Sequence, residues 1–145
     1  MLEIVATDAE GHVTTRRVTY AVDAWAVGDV GGSVAATLAL TLGAPANFPA
    51  FTPGVERDFE ATSTATVVST AGNAALSVSE PGHLTNGAFA LAEPLRVSLS
   101  KSAWTGPTAN ERVDITFNQR IKRTDPLRTG SYTRTLTFTL STTAP

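Results

Sequence analysis

Thirteen carboxylates, two histidines and no cysteine are what this chain of 145 residues offers for acid–base, nucleophilic or metal chemistry beyond its hydroxyls. Hydrolysis by paired carboxylates needs two acids converging on one bond with their pKa values pushed apart. Here Glu3, Asp8, Glu10, Asp23, Asp29, Glu56, Asp58, Glu60, Glu80, Glu93, Glu111, Asp114 and Asp125 are spread singly along the chain and read as surface or turn groups. A Ser-His-Asp relay needs a histidine close to an exposed nucleophile. His12 and His83 sit near no G-x-S-x-G elbow and read as loop residues. Without cysteine there is no zinc-thiolate site, thiol nucleophile or disulfide. Calcium is the metal best matched to the oxygen ligands present, but no D-x-[DN]-x-[DN]-G loop occurs, and Asp23 with Asp29 is the one pairing to consider. Gly28-Asp29-Val30-Gly31-Gly32 lacks the helix and the Lys-Ser/Thr end of a phosphate loop. No catalytic residue, metal or cofactor is therefore expected, and the chain is expected not to be an enzyme.

Binding chemistry is a different question, because flat rings with a polar edge serve carbohydrate recognition. Trp25 reads as a plug at a hinge between modules. Trp104, just before Gly106-Pro107, either caps the fold or stands exposed at a loop tip. Arg120, Lys122 and Arg123 concentrate positive charge in Asn118-Gln119-Arg120-Ile121-Lys122-Arg123, with Arg128 nearby. Such a run either guards a solvated strand edge against aggregation or attracts an acidic wall polymer. Trp104, Arg120, Lys122 and Arg123 are thus the candidate ligand contacts. With 17% charged residues and a net charge of −2, the chain lacks the basic excess that nucleic acid or anionic membranes would require. No window approaches the apolar length of a membrane span, and the start shows no signal-peptide pattern. Any export signal is expected outside these residues.

The elements that would position these groups are strands. Leu136, Phe138 and Leu140 share one parity while Thr135, Thr137, Thr139 and Ser141 take the other, the period-2 pattern of a half-buried strand. The same alternation runs through 34–42, 76–79, 95–100 and 113–118. Turn chemistry separates them, among it Gly43-Ala44-Pro45, Ala71-Gly72-Asn73, Glu80-Pro81-Gly82, Asn86-Gly87 and Thr129-Gly130. No stretch of eleven or more residues carries a 3.6 period. The 23 Thr and 10 Ser alternate with apolar residues instead of clustering with Pro, which argues for solvated strand faces over a disordered stalk. The expected fold is all-β, an immunoglobulin-like antiparallel β-sandwich. Its expected parts are a hairpin in 1–22 around Asp8-Ala9-Glu10-Gly11, a linker over 23–32 with Gly28, Gly31 and Gly32, and the main module over 33–145. Tyr132, two residues after Gly130, is expected to fold its hydroxyl back on upstream backbone as a tyrosine corner.

Ala6-Thr7-Asp8-Ala9-Glu10-Gly11-His12-Val13 with Arg17-Val18-Thr19-Tyr20-Ala21-Val22 resembles the closing strands of Ig-like modules strung along large extracellular bacterial proteins. That resemblance implies that residues 1–22 close a preceding module. From Val34-Ala35-Ala36-Thr37-Leu38 through Asn47-Phe48-Pro49-Ala50-Phe51-Thr52-Pro53-Gly54 to Leu127-Arg128-Thr129-Gly130-Ser131-Tyr132, the chain resembles a module repeated in secreted actinobacterial proteins, with shorter connections around 80–83 and 99–104. The resemblance implies a non-catalytic accessory role beside extracellular enzymes, with neighbouring domains of the same polypeptide as partners. The Gly130-Ser131-Tyr132 turn and the Thr-rich strand after it are also similar to WxL-type cell-wall domains, with Phe138 where those carry the Trp of their motif. That similarity implies cell-wall polysaccharide as an alternative partner, and an extracellular or cell-surface location.

Overall fold

Phe59, Ala61, Ala65 and Val67 share one parity in 57–69, as do Val113, Ile115, Phe117 and Ile121 in 108–121, and both sets are buried. Their outward neighbours are Thr, Asp, Glu, Arg and Asn, with Val68 the one apolar exception, so burial alternates along each segment with the strand period. A computed structural model describes residues 2–18 and 26–143. It contains β1 (Leu2–Thr7), β2 (Val13–Val18), β3 (Leu38–Leu42), β4 (Arg57–Ser69), β5 (Ala74–Val78), β6 (Thr85–Asn86), β7 (Phe89–Ala90), β8 (Arg96–Leu99), β9 (Ala103–Trp104), β10 (Thr108–Ile121) and β11 (Phe138–Ser141). All ladders are antiparallel, and no helix occurs among the described residues. None is therefore long and apolar enough to cross a membrane.

The chain divides into two units, Met1–Ser33 and Val34–Pro145. In the first, β1 and β2 pair from Leu2↔Val18 to Thr7↔Val13. Asp8 makes the turn: its Oδ1 accepts the N–H groups of Glu10 (3.1 Å) and His12 (2.8 Å), and Gly11 takes φ +86°. An Asp side chain mimics a backbone turn in this way, and the glycine adopts the left-handed conformation without steric cost. Residues 19–25 lie outside the described residues, so the expected hinge role of Trp25 and the Asp23 half of the calcium pairing fall there. Residues 26–37 form no strand.

The second unit is a β-sandwich. One sheet runs β3-β4-β10-β8 and the other β11-β5-β9, with β6-β7 as a separate short hairpin. The eleven residues of β4 from Arg57 to Val67 and their partners in β10 make up most of the longest ladder, with Ile115 opposite Ser63 and Phe117 opposite Ala61. Inward side chains of both sheets, among them Val67, Leu76, Val113 and Ile115, join one core with Leu84, Leu91, Leu95 and Trp104 from the connections. Fourteen buried apolar side chains form this cluster, enough to make hydrophobic burial the dominant stabilising term.

Sequence alignment with strand period finds β3, β5, β8, β10 and β11, but 57–69 carries little contrast. Its inward positions are largely Ala and Ser and its outward ones largely Thr. The central strand of the sandwich is thus the one whose alternation is weakest by side-chain hydrophobicity.

Candidate functional site

Trp104 ends the two-residue strand β9, and Glu111 stands seven residues later, beyond the Gly106-Pro107 turn. The β10–β4 register breaks between Thr108 and Glu111, and Asn110 takes φ +53°. A bulge of this kind re-aims a side chain. Here it brings the Glu111 carboxylate under Trp104: Nε1 donates to Oε2 at 2.6 Å, Thr108 Oγ1 donates to Oε2 at 2.8 Å, and Lys101 Nζ donates to Oε1 at 2.7 Å. Hydrogen bonds from Lys101, Thr108 and Trp104, in that order, favour the charged carboxylate and lower its pKa from 4.5 to about 2. The Lys101 ammonium also lies 5.4 Å from the centroid of the indole. Trp104 is 5% exposed. It is a core side chain with its one polar atom satisfied, as buried Trp requires.

The basic segment is placed by the end of β10. Arg120 faces Asp58 across the ladder, donates to Asp58 Oδ2 at 3.0 Å and pairs with Glu56 as well. Lys122 pairs with Glu93, which raises the pKa of the lysine and lowers that of the glutamate. Its backbone N–H donates to Asp125 Oδ2 at 2.8 Å, closing the turn that follows. Arg123 is exposed. Between these, Gln119 is buried and donates from Nε2 to the carbonyls of Glu93 and Arg120, both at 3.0 Å. Two of the three basic candidates are therefore held by acids of β4, of its approach and of the 91–95 connection.

Tyr132 lies half-buried, and its hydroxyl accepts the N–H of Arg128 at 2.8 Å. Gly130 takes φ +135°, and a Cβ built there would stand 2.5 Å from Asn86 Nδ2. That amide donates to Thr129 O at 3.1 Å, so the glycine lets the 127–133 connection close against the β6–β7 hairpin. Phe138 begins β11 opposite Val78 and is half-buried. His83 Nδ1 lies 2.7 Å from Leu91 O, and His12 Nδ1 lies 3.2 Å from Asp8 Oδ2 in the first unit. Among the described residues no three His, Cys, Asp or Glu side chains come together as a metal site.

The structure also holds a groove that spacing in the sequence does not announce. It has a volume of about 840 Å³ and runs between 45–53, in the β3–β4 connection, and 127–138. Its two walls are separated by more than 70 positions in the chain, and within one of them Phe48-Pro49-Ala50-Phe51 is a short aromatic run with no strand period. Set against family models, curated proteins and solved structures, the chain matches none of them.

Proposed function

We propose that the chain is a non-catalytic, immunoglobulin-like accessory module of an extracellular or surface-attached bacterial protein, spacing and positioning neighbouring domains of the same polypeptide. The observation that carries this reading is the internal use of the groups best suited to ligand contact. Trp104 is buried on Glu111, Arg120 is shared by Glu56 and Asp58, and Lys122 is taken by Glu93. These groups tie strands and connections together, which is what a rigid spacer requires.

Strand order supports the immunoglobulin part of the reading. In that arrangement the first, second, fifth and fourth strands form one sheet, and the third and sixth pair in the other. Setting aside the two-residue strands, β3-β4-β10-β8 and β5-β11 follow this order. The resemblance of the main module to secreted actinobacterial modules supplies the extracellular setting.

The test is co-sedimentation with peptidoglycan and a panel of insoluble polysaccharides, beside limited proteolysis. A spacer leaves the pellet at background and keeps residues 38–141 intact under protease. Saturable co-sedimentation that Arg123→Ala removes would replace this reading with wall binding.

A further inference from the structure

The groove between 45–53 and 127–138 combines an apolar interior with a cationic rim. Its floor is the core itself, reached at Leu84, Leu95 and Phe117, all buried. Phe48, Phe51 and Tyr132 form a wall of half-buried rings, with centroids 5.7 Å apart for Phe48–Phe51 and 6.3 Å for Phe51–Tyr132. Among the described residues, Arg128 and Arg134 are the charged side chains of its lining, and no carboxylate lies beside them.

Both guanidiniums are exposed, and neither pairs with a carboxylate among the described residues. Each is nevertheless seated. The Arg128 guanidinium lies 3.4 Å from the centroid of the Phe89 ring, a stacking that leaves its edge donors free. Arg134 rests against Gly82, where a Cβ would meet Nη2 at 3.1 Å. Positioned cations without counter-charges, above a cleft whose size is ordinary for small-ligand sites, define their complement.

We propose that this groove binds a free, single-chain anionic amphiphile, with an acyl tail against Phe48, Phe51 and the Leu84, Leu95 and Phe117 floor and a carboxylate, sulfate or phosphate head on Arg128 and Arg134. Leu84, Leu95 and Phe117 offer no partner to a sugar's hydroxyls, which would be desolvated there without hydrogen bonds. A cationic head would meet two like charges. A head with two anionic oxygens side by side accepts paired donors from guanidinium, and such charge-assisted bonds are the stronger kind. The proposal is independent of the spacer reading, since none of the groove residues serves the Trp104 or Arg120 contacts.

The test is calorimetric titration of the full chain with dodecanoate, dodecyltrimethylammonium and dodecyl maltoside, each below its micellar concentration, with vesicles of anionic phospholipid and polygalacturonate as further arms. Dodecanoate is expected to saturate at one per chain, about tenfold more tightly than dodecyltrimethylammonium, the difference expected of charge-assisted bonds. Arg128→Gln with Arg134→Gln is expected to bring dodecanoate down to the level of dodecyl maltoside and to leave the maltoside unchanged. Ala50→Trp, at an exposed position of the lining, is expected to block every amphiphile while the circular dichroism of the fold is retained. Equal affinity for all three heads would overturn the proposal. So would amphiphile binding undiminished in a folded Ala50→Trp, binding to the vesicles without binding of monomeric dodecanoate, or saturable binding of polygalacturonate in its place.

Discussion

Trp104 Nε1 donates to Glu111 Oε2 at 2.6 Å across the β9–β10 turn, so one carboxylate satisfies the polar atom of the largest core side chain. The sign of the linked pH dependence follows from the pKa lowered to about 2. A carboxyl that is more acidic in the folded state binds fewer protons there than when unfolded, so its contribution is complete above the ordinary value of 4.5 and is lost as pH falls toward 2. Chemical denaturation at a series of pH values between 6 and 2 is expected to show this loss in the native sequence and a shallower one in Glu111→Gln. Trp104 emission should shift to the blue in Glu111→Gln, because excitation draws electron density away from the indole nitrogen and the charged acceptor that favours this state is then lost. An unchanged pH profile would remove Glu111 from the stabilising role.

Ile115 is buried at the centre of β10, with Ser63 of β4 and Leu99 of β8 beside it in register. Ile115→Ala is expected to cost about 3 kcal/mol, the transfer term plus a cavity that a close-packed core closes only partly. Thr116→Ala, one residue on and facing outward, is expected to stay within about 0.5 kcal/mol. Urea denaturation of the pair measures the contrast. Equal losses would mean that β10 does not present alternate faces to core and solvent.

That contrast also marks what the sequence makes legible. Val113, Ile115 and Phe117 alternate with Asp114, Thr116 and Asn118, and the strand follows from side-chain polarity alone. In β4 the inward Ala61, Ser63 and Ala65 differ from the outward Thr62, Thr64 and Thr66 by size more than by polarity, so the strand becomes evident only when β10 is laid beside it. Among the site residues, the neighbourhood of Tyr132 carries its own signal, a glycine two residues earlier and a strand to follow. The partners of Arg120 and Lys122 do not, because Glu56, Asp58 and Glu93 are brought to them by pairing and by the 91–95 connection. A charge run in one dimension looks like an excess; in the fold it is largely balanced. The same holds for the groove, whose two walls meet only through the sandwich.

Gly130 combines a φ of +135° with an approach that leaves no space for a Cβ beside the Asn86 amide. Gly130→Ala is expected to destabilise the second unit by more than about 1 kcal/mol, since strain and displacement of the Asn86–Thr129 bond act together. Gly54 takes φ +76°, nearer the left-handed region that L residues can enter, and has open space around it, so Gly54→Ala meets neither the more extreme backbone angle nor the close approach and is expected to lose less. Thermal denaturation of both variants gives the order, and a larger loss at Gly54 would show that the backbone angle and the Asn86 approach at Gly130 are together not a constraint.

β3 is one of the two edge strands of the four-stranded sheet. Thr41 N–H and C=O face β4, by alternation from the Gly43 N–H that donates to Thr64 O at 2.8 Å. The backbone groups of Leu38, Leu40 and Leu42 consequently point away from the sheet, and the side chains of Leu38 and Leu42 remain 40% and 49% exposed. The strand Leu38–Leu42 contains no charge, proline or bulge of the kind that blunts a sheet edge. A second chain can therefore pair with it at little cost, and association through β3 should rise with concentration. Thr41→Lys sets a charge on the exposed outward face of this strand and leaves its ladder with β4 intact. It is expected to lower light scattering on concentration or mild heating without changing the unfolding free energy by more than about 0.5 kcal/mol. Scattering that falls only together with stability would point instead to association from unfolded chains.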